Sequence, residues 1–334
     1  MAELLTVVMY HYVRDFQNTR FPRIKGLDVR SFEHQIDYLQ RYHNIVTVED
    51  CLEALRDQTE LPPRPVLLTF DDGYVDHYDF VLPILTAKRL QGTFFVPARP
   101  VQERVVLDVN KIHHILACTD DPAKLLESLA KKMDACRERF GLETPEAYEA
   151  QVTDSSRFDP REVIVIKRLL QRDLPPEARA VLTDELFQEV VTSDEAAFAE
   201  MLYLNEEQIG EMVSSGMRIG NHGYGHLWWT SLTGQERESE IRRGISFLDR
   251  WGQGMPQWIL SYPYGDCNDE VVELVRDEGC VLAFTSVPDL AVLDARQRFT
   301  LARLDTNDFP KHAEAPPNEW TLRAGGRRAD KSSG

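Results

Sequence analysis

Short apolar runs rich in β-branched and aromatic residues recur along this chain near 5–10, 45–48, 66–70, 93–97, 217–221, 257–262, 281–285 and 299–303, with amphipathic stretches between them. Strands separated by helical segments cover both faces of a sheet. The pattern therefore predicts an α/β fold whose parallel strands close into a barrel or a doubly wound sheet. Phe32, Ile36 and Leu39 share one face of a helix over 32–42, and Thr47 with Asp50 forms a capping box for a helix reaching about Leu55. Asn205 with Gln208 opens another, stopped by Gly216, and Thr233 with Glu236 opens one that runs to about Trp251.

The alternation breaks over 101–204. Leu, Ala, Glu, Lys and Arg dominate there, and Leu125, Leu126, Leu129 and Met133 mark a helical face, which predicts an inserted helical subdomain. A barrel over 1–100 and 205–310 remains, of ordinary size for a chain of 334 residues. Beyond Pro310 the apolar periodicity stops, so 311–334 is expected as a flexible tail. The formal net charge of −17 disfavours nucleic acid and anionic lipid as partners, and the 101–204 segment carries much of it. Cys51, Cys118, Cys136, Cys267 and Cys280 are scattered without a CxxC pair, which points to reduced thiols. The N-terminal stretch lacks a basic leader and is broken by Tyr10 and His11, and no apolar run approaches the roughly 20 residues of a membrane span. A cytoplasmic location is expected. The oligomeric state is not legible.

Three segments carry chemistry. Val66 to Tyr74 reads as a buried strand ending in Asp71, Asp72 and Gly73; ligands bind at the carboxyl ends of strands in α/β folds, so these acids face a site. One of the two can hold a metal while the other stays ionised as a base, although a solvated Asp-Asp-Gly turn gives the same string. His222 and His226, four apart in a glycine-rich loop after a second strand, can present two imidazoles to one cation. One carboxylate and two imidazoles leave an open position, the arrangement of a catalytic metal site. Ser261 to Asp266, with Pro263-Tyr264-Gly265, makes a fixed turn able to aim a backbone N–H.

Thr-Phe-Asp-Asp-Gly at 69–73, His-x-x-x-His at 222–226 and Pro-Tyr-Gly at 263–265, in this order, resemble the polysaccharide deacetylase family, the NodB-homology proteins of carbohydrate esterase family 4. The resemblance spans about 66–97 and 205–305. It implies a distorted (β/α) barrel and metal-dependent removal of N- or O-acetyl groups from sugars. On the matching positions it implies Asp71 as catalytic base and Asp72, His222 and His226 as metal ligands, with the Tyr264 backbone N–H as oxyanion donor. The implied cofactor is a divalent ion, zinc first, with cobalt, nickel or manganese as alternatives.

The chain also departs from the family. Many members carry an Arg three residues before the aromatic of the last motif, where this chain has Ser261, and a late His acting as acid, whereas here no His follows His226 until His312. Two substitutes are visible. His11, in a Tyr-His element at the end of the first strand, is a candidate acid or substrate contact, and Arg303 is a candidate partner of Asp71.

Tyr224, Trp228, Trp229 and Tyr262 crowd the histidine loop and the turn, as core packing or as faces for sugar rings. A small intracellular N-acylated amino sugar or sugar conjugate is the expected substrate. The 14–26 loop, with Arg14, Arg20, Arg23 and Lys25 against Asp15, offers a place for a phosphate on it. Two other readings stay open. One is an N-deformylase or cyclic-amide hydrolase on the same scaffold. The other is a non-catalytic carbohydrate-binding protein on a degenerate barrel, which the retained Asp71 argues against.

Overall fold

A computed structural model describes residues 3–153 and 159–325, which fall into two compact units. The first is built from the chain up to Asp15, from Gly26–Glu103 and from Leu202 onward; the second from Phe16–Lys25 and Arg104–Met201. The strands in chain order are β1 (Glu3–Tyr10), β2 (Val13–Arg14), β3 (Leu27–Asp28), β4 (Asn44–Ile45), β5 (Pro65–Phe70), β6 (Thr93–Val96), β7 (Arg218–Asn221), β8 (Trp258–Ser261), β9 (Cys280–Phe284), β10 (Ala291–Leu293) and β11 (Leu304–Asp305). In the first unit a curled half-barrel sheet runs β10-β1-β5-β6-β7-β8-β9, with β4 beside β5 and β11 beside β1. Its pairings are parallel except that of β10 with β1.

Alternation along each strand sorts the core. Val66, Leu68 and Phe70 pack with Val8, Tyr10, Phe94 and Ile219 on one face, and Leu67 packs with Leu5, Val7, Phe95, Ile259 and Phe284 on the other. Because side chains alternate, Thr69 and Asp71 follow Leu67 onto that second face, and this register aims Asp71 at the site. The capping boxes at Thr47, Asn205 and Thr233 form and start the helices Val48–Asp57, Glu206–Ser214 and Gly234–Leu248.

Two expectations need correction. The strand expected over 299–303 does not form: Leu301 makes a single parallel bridge to Phe284, and β10 and β11 flank the segment instead. The tail expected from 311 is held as far as residue 325. Asn318 caps the short helix Glu319–Ala324, whose buried Thr321 hydroxyl lies 2.9 Å from the Tyr38 hydroxyl and 3.1 Å from His43 Nε2. Residues 326–334 of the expected tail lie outside the described residues.

The second unit is helical. Its longest helix, Pro122–Phe140, buries Leu125, Leu129 and Met133. The Phe16–Lys25 segment joins it because Phe21 packs on His114 and Phe198, while Arg23 and Lys25 pair with Asp120 and Asp159. Arg14, in the first unit, pairs with Asp76 at 2.8 Å, both buried. Three of the four cations expected to meet a phosphate are thus already neutralised by carboxylates.

The buried histidines give the fold a pH dependence. Burial pushes His43 and His77 down to about 4. Between pH about 6.5 and 4 the unfolded chain binds protons that the folded chain refuses, so stability is full above that window and falls as pH drops through it. Each ring contributes a slope of up to about 1.4 kcal/mol per pH unit there. Denaturant midpoints measured at pH 7, 5.5 and 4.5 should decline in step, and more shallowly in His43→Gln; a flat series would refute the assignment.

Candidate active site

Two neighbouring acids end β5 and turn to different partners. The Asp71 N–H still donates to the Tyr10 carbonyl at 2.9 Å, continuing the β1 pairing, but Asp72 is left-handed (φ 74°) and Gly73 follows at φ 65°. A left-handed non-glycine residue is strained and marks a constrained site. Arg303 grips Asp71 with two parallel bonds, Nη1 to Oδ1 at 2.8 Å and Nη2 to Oδ2 at 2.7 Å. Its Nη2 also donates to Ser261 Oγ at 2.8 Å, Ser261 Oγ donates to Asp71 Oδ2 at 3.2 Å, and Nε donates to the Thr285 carbonyl. The pair is almost wholly buried. Burial pushes the Asp71 carboxyl up, but the charge and hydrogen bonds of Arg303, with His222, outweigh it and hold the group down to about 2.

Asp72 faces the histidines instead. Its Oδ1 lies 3.4 Å from His222 Nε2 and 3.5 Å from His226 Nε2, and the three side chains, all buried, offer ligand atoms within 4.8 Å of one another. The loop carrying the rings is braced from below. The Asn221 side chain accepts from the Gly223 N–H and donates to the Ile241 carbonyl, while buried Glu240 accepts from the Tyr224 and Gly225 N–H groups at 3.1 and 2.8 Å. Gly244 is required beneath this brace, since a Cβ there would lie 2.3 Å from Asn221 Oδ1.

The donor set fits a divalent ion. His222 Nδ1–H donates to the Ser261 carbonyl at 2.7 Å, which leaves its Nε2 lone pair directed at Asp72. Burial, with the neighbouring His222, pushes His226 down to about 3, so that ring is neutral as a ligand must be. Asp72 Oδ1 has no hydrogen-bond partner, an expensive state for a buried carboxylate oxygen unless a cation meets it. Burial lowers His222, but the charges of Asp71 and Asp72, with hydrogen bonding to Asp72 and the Ser261 carbonyl, outweigh it and draw the group up.

The remaining predicted residues gather around this trio. Tyr264, left-handed at φ 59°, sets its ring edge-on to His226 at 4.5 Å and stacks flat on Trp228 at 4.2 Å. The Asp266 carboxylate accepts from the Thr230 N–H and hydroxyl, tying the loop after His226 to the turn. Trp229 and Tyr262 are core residues, fully buried and edge-on to each other. His11 follows β1, is half-buried, and its charge acts on Asp71 and Asp72 alike. Its carbonyl accepts from His77 Nε2 at 2.8 Å. Ser261 as the bridge between Arg303 and Asp71, Tyr74 on Asp72, and the Glu240 brace were missed in the sequence. The first two lie inside the motifs but look like strand and turn residues, and Glu240 carries no local signal.

The polysaccharide deacetylase family profile matches residues 58–136 and 187–283. It reaches further into 101–204 than the motifs do. The chain is 32% identical over 292 residues, 87% of this chain and 67% of the other, to the Bacillus subtilis (strain 168) protein named "Putative polysaccharide deacetylase YxkH". Its fold is similar to that of the Streptococcus pyogenes deacetylase PplD solved with acetate, with TM-score 0.53, 15% identity, and coverage of 91% of this chain and 93% of that one. It is likewise similar to IcaB from Ammonifex degensii, with TM-score 0.52, 20% identity, and coverage of 97% and 98%. The matched half of the chain, which contains both the Asp71-Asp72 strand end and the two histidines, together with this long relative, makes the chain a member of the polysaccharide deacetylase family.

Proposed function

We propose that this carbohydrate deacetylase is a metal-dependent N-deacetylase acting on a small amino sugar or sugar conjugate. The observation that carries the reading is the division between two adjacent acids: Asp72 is committed to His222 and His226, while Asp71 is held ionised by Arg303 and Ser261. Asp72, His222 and His226 would hold a divalent ion, zinc by the nitrogen and oxygen donors, which would supply a Lewis acid to polarise the acyl carbonyl and lower the pKa of a water. Asp71 accepts that water's proton. Its Oδ2 already takes two donors, whereas Oδ1 takes one, so Oδ1 keeps a lone pair for the transfer. His11 delivers a proton to the departing amine, and the Tyr264 N–H supports the developing oxyanion.

The stacked Trp228 and Tyr264 rings offer an aromatic face beside the trio for a sugar ring. The five cysteines form no disulfide among the described residues, which suits a reducing compartment and the cytoplasm. With Arg14, Arg23 and Lys25 already paired, the reading assigns the substrate no phosphate. The test is acetate release, followed by NMR, from N-acetylglucosamine and its nucleotide-linked form by the zinc-loaded protein, with loss on chelation. Formate or a ring-opened product from other amides would redirect the reading to a deformylase or cyclic-amide hydrolase. Bound zinc with no carboxylate released from any of them would make the chain a binder.

A further inference from the structure

The two oxygens of Asp72 are not equivalent. Oδ2 accepts from the Tyr74 hydroxyl at 2.5 Å, while Oδ1 has no hydrogen-bond partner and faces both histidine Nε2 atoms. Tyr74 is fully buried. Its ring stacks on Tyr12 at 4.0 Å, lies parallel to Tyr203 at 6.2 Å and meets the His77 ring at 5.6 Å. An isolated bridge pairs its backbone with Tyr203, and the Leu204 N–H donates to the Gly73 carbonyl at 2.9 Å. A hydroxyl fixed on both faces and along its backbone cannot swing away from Asp72.

The opposite wall is equally tight. A Cβ on Gly73 would lie 2.8 Å from Val96, so the Asp72-Gly73 turn is pressed against β6. A carboxylate with both oxygens facing a cation can bind it through two atoms; one whose second oxygen is turned onto a hydrogen-bond donor, as Asp72 Oδ2 is onto the Tyr74 hydroxyl, presents its first oxygen alone. We propose that the Tyr74 hydroxyl holds Asp72 as a one-oxygen ligand, a positioning role that rests on reading Asp72, His222 and His226 as the metal set. It limits the protein to three donor atoms and keeps the remaining positions of the ion for water and the acyl oxygen.

Tyr74→Phe tests this, because it keeps the ring and its stacking and removes only the hydroxyl. Zinc affinity, measured by competition with a chromophoric chelator, should fall about 10- to 100-fold, the usual effect of losing an outer partner of a ligand. In the cobalt-loaded protein the visible ligand-field bands should weaken as Oδ2 joins the ion and the coordination number rises. The thermal unfolding midpoint of the metal-free chain should fall as well, since Oδ2 loses its donor, whereas the cobalt bands report the coordination number, which a merely structural role would not move. Equal zinc affinity and unchanged cobalt bands in the variant and the wild type would overturn the role of Tyr74 while leaving the metal set standing. A wild-type chain that takes up neither ion would overturn both.

Discussion

Asp71→Asn is expected to lower turnover of an N-acetylated amino sugar by about 10²- to 10⁴-fold, the usual contribution of a general base, while zinc affinity is unchanged. Zinc binding survives because the oxygens of Asp71 are engaged by Arg303 and Ser261, whereas the histidines face Asp72. Turnover does not, because an amide keeps the shape of the carboxylate but accepts no proton at neutral pH. The amide also sets an N–H group against the guanidinium and breaks one of its two parallel bonds. Single-turnover acetate release beside a zinc titration gives the measurement. Activity within tenfold of wild type would remove Asp71 from the base's place.

The second large effect is on stability. Arg303→Met leaves the Asp71 carboxylate buried without its cation, and breaking such a pair from one side costs about 3–5 kcal/mol. Burial then acts on Asp71 with far less opposition, so the acid limb of any activity that remains moves to higher pH. The sign of the linked stability follows from the same group. Held down to about 2 when folded against about 3.9 unfolded, Asp71 contributes stability above pH about 4 that fades as pH falls towards 2. In Arg303→Met that contribution disappears. The double variant Asp71→Asn with Arg303→Met should recover a large part of the loss, because removing both partners no longer strands a charge. Urea unfolding of the four proteins closes the cycle. A single Arg303→Met variant as stable as wild type would show that the guanidinium is not compensating a buried charge.

Much of the site was legible because each part is local in the chain. Asp71 and Asp72 end one strand, His222 and His226 lie four apart in one loop, and three capping boxes start helices where Thr47, Asn205 and Thr233 stand. Arg303 was found only as a candidate, from its place near the end of the expected last strand, since its partner lies 232 residues earlier. The failures have the same cause. Phe299, Leu301 and Arg303 alternate like a strand, yet a ladder also needs a neighbour in register, and only Leu301 has one. The polar stretch after Pro310 carries no periodicity, yet one capped turn of helix is held by the hydroxyls of Tyr38 and Thr321.

By itself the sequence determined the strand-helix alternation, the residues able to bind a cation and the two adjacent acids, because backbone periodicity and ligand chemistry are properties of short segments. Only the tertiary structure decided what each acid does. Strand register turned Asp71 towards Arg303 and Ser261, and a left-handed turn carried Asp72 to the histidines and the Tyr74 hydroxyl. Those partners come from strands and loops far apart in the chain, and a carboxylate's charge and proton affinity are set by the atoms around it and not by its neighbours in sequence.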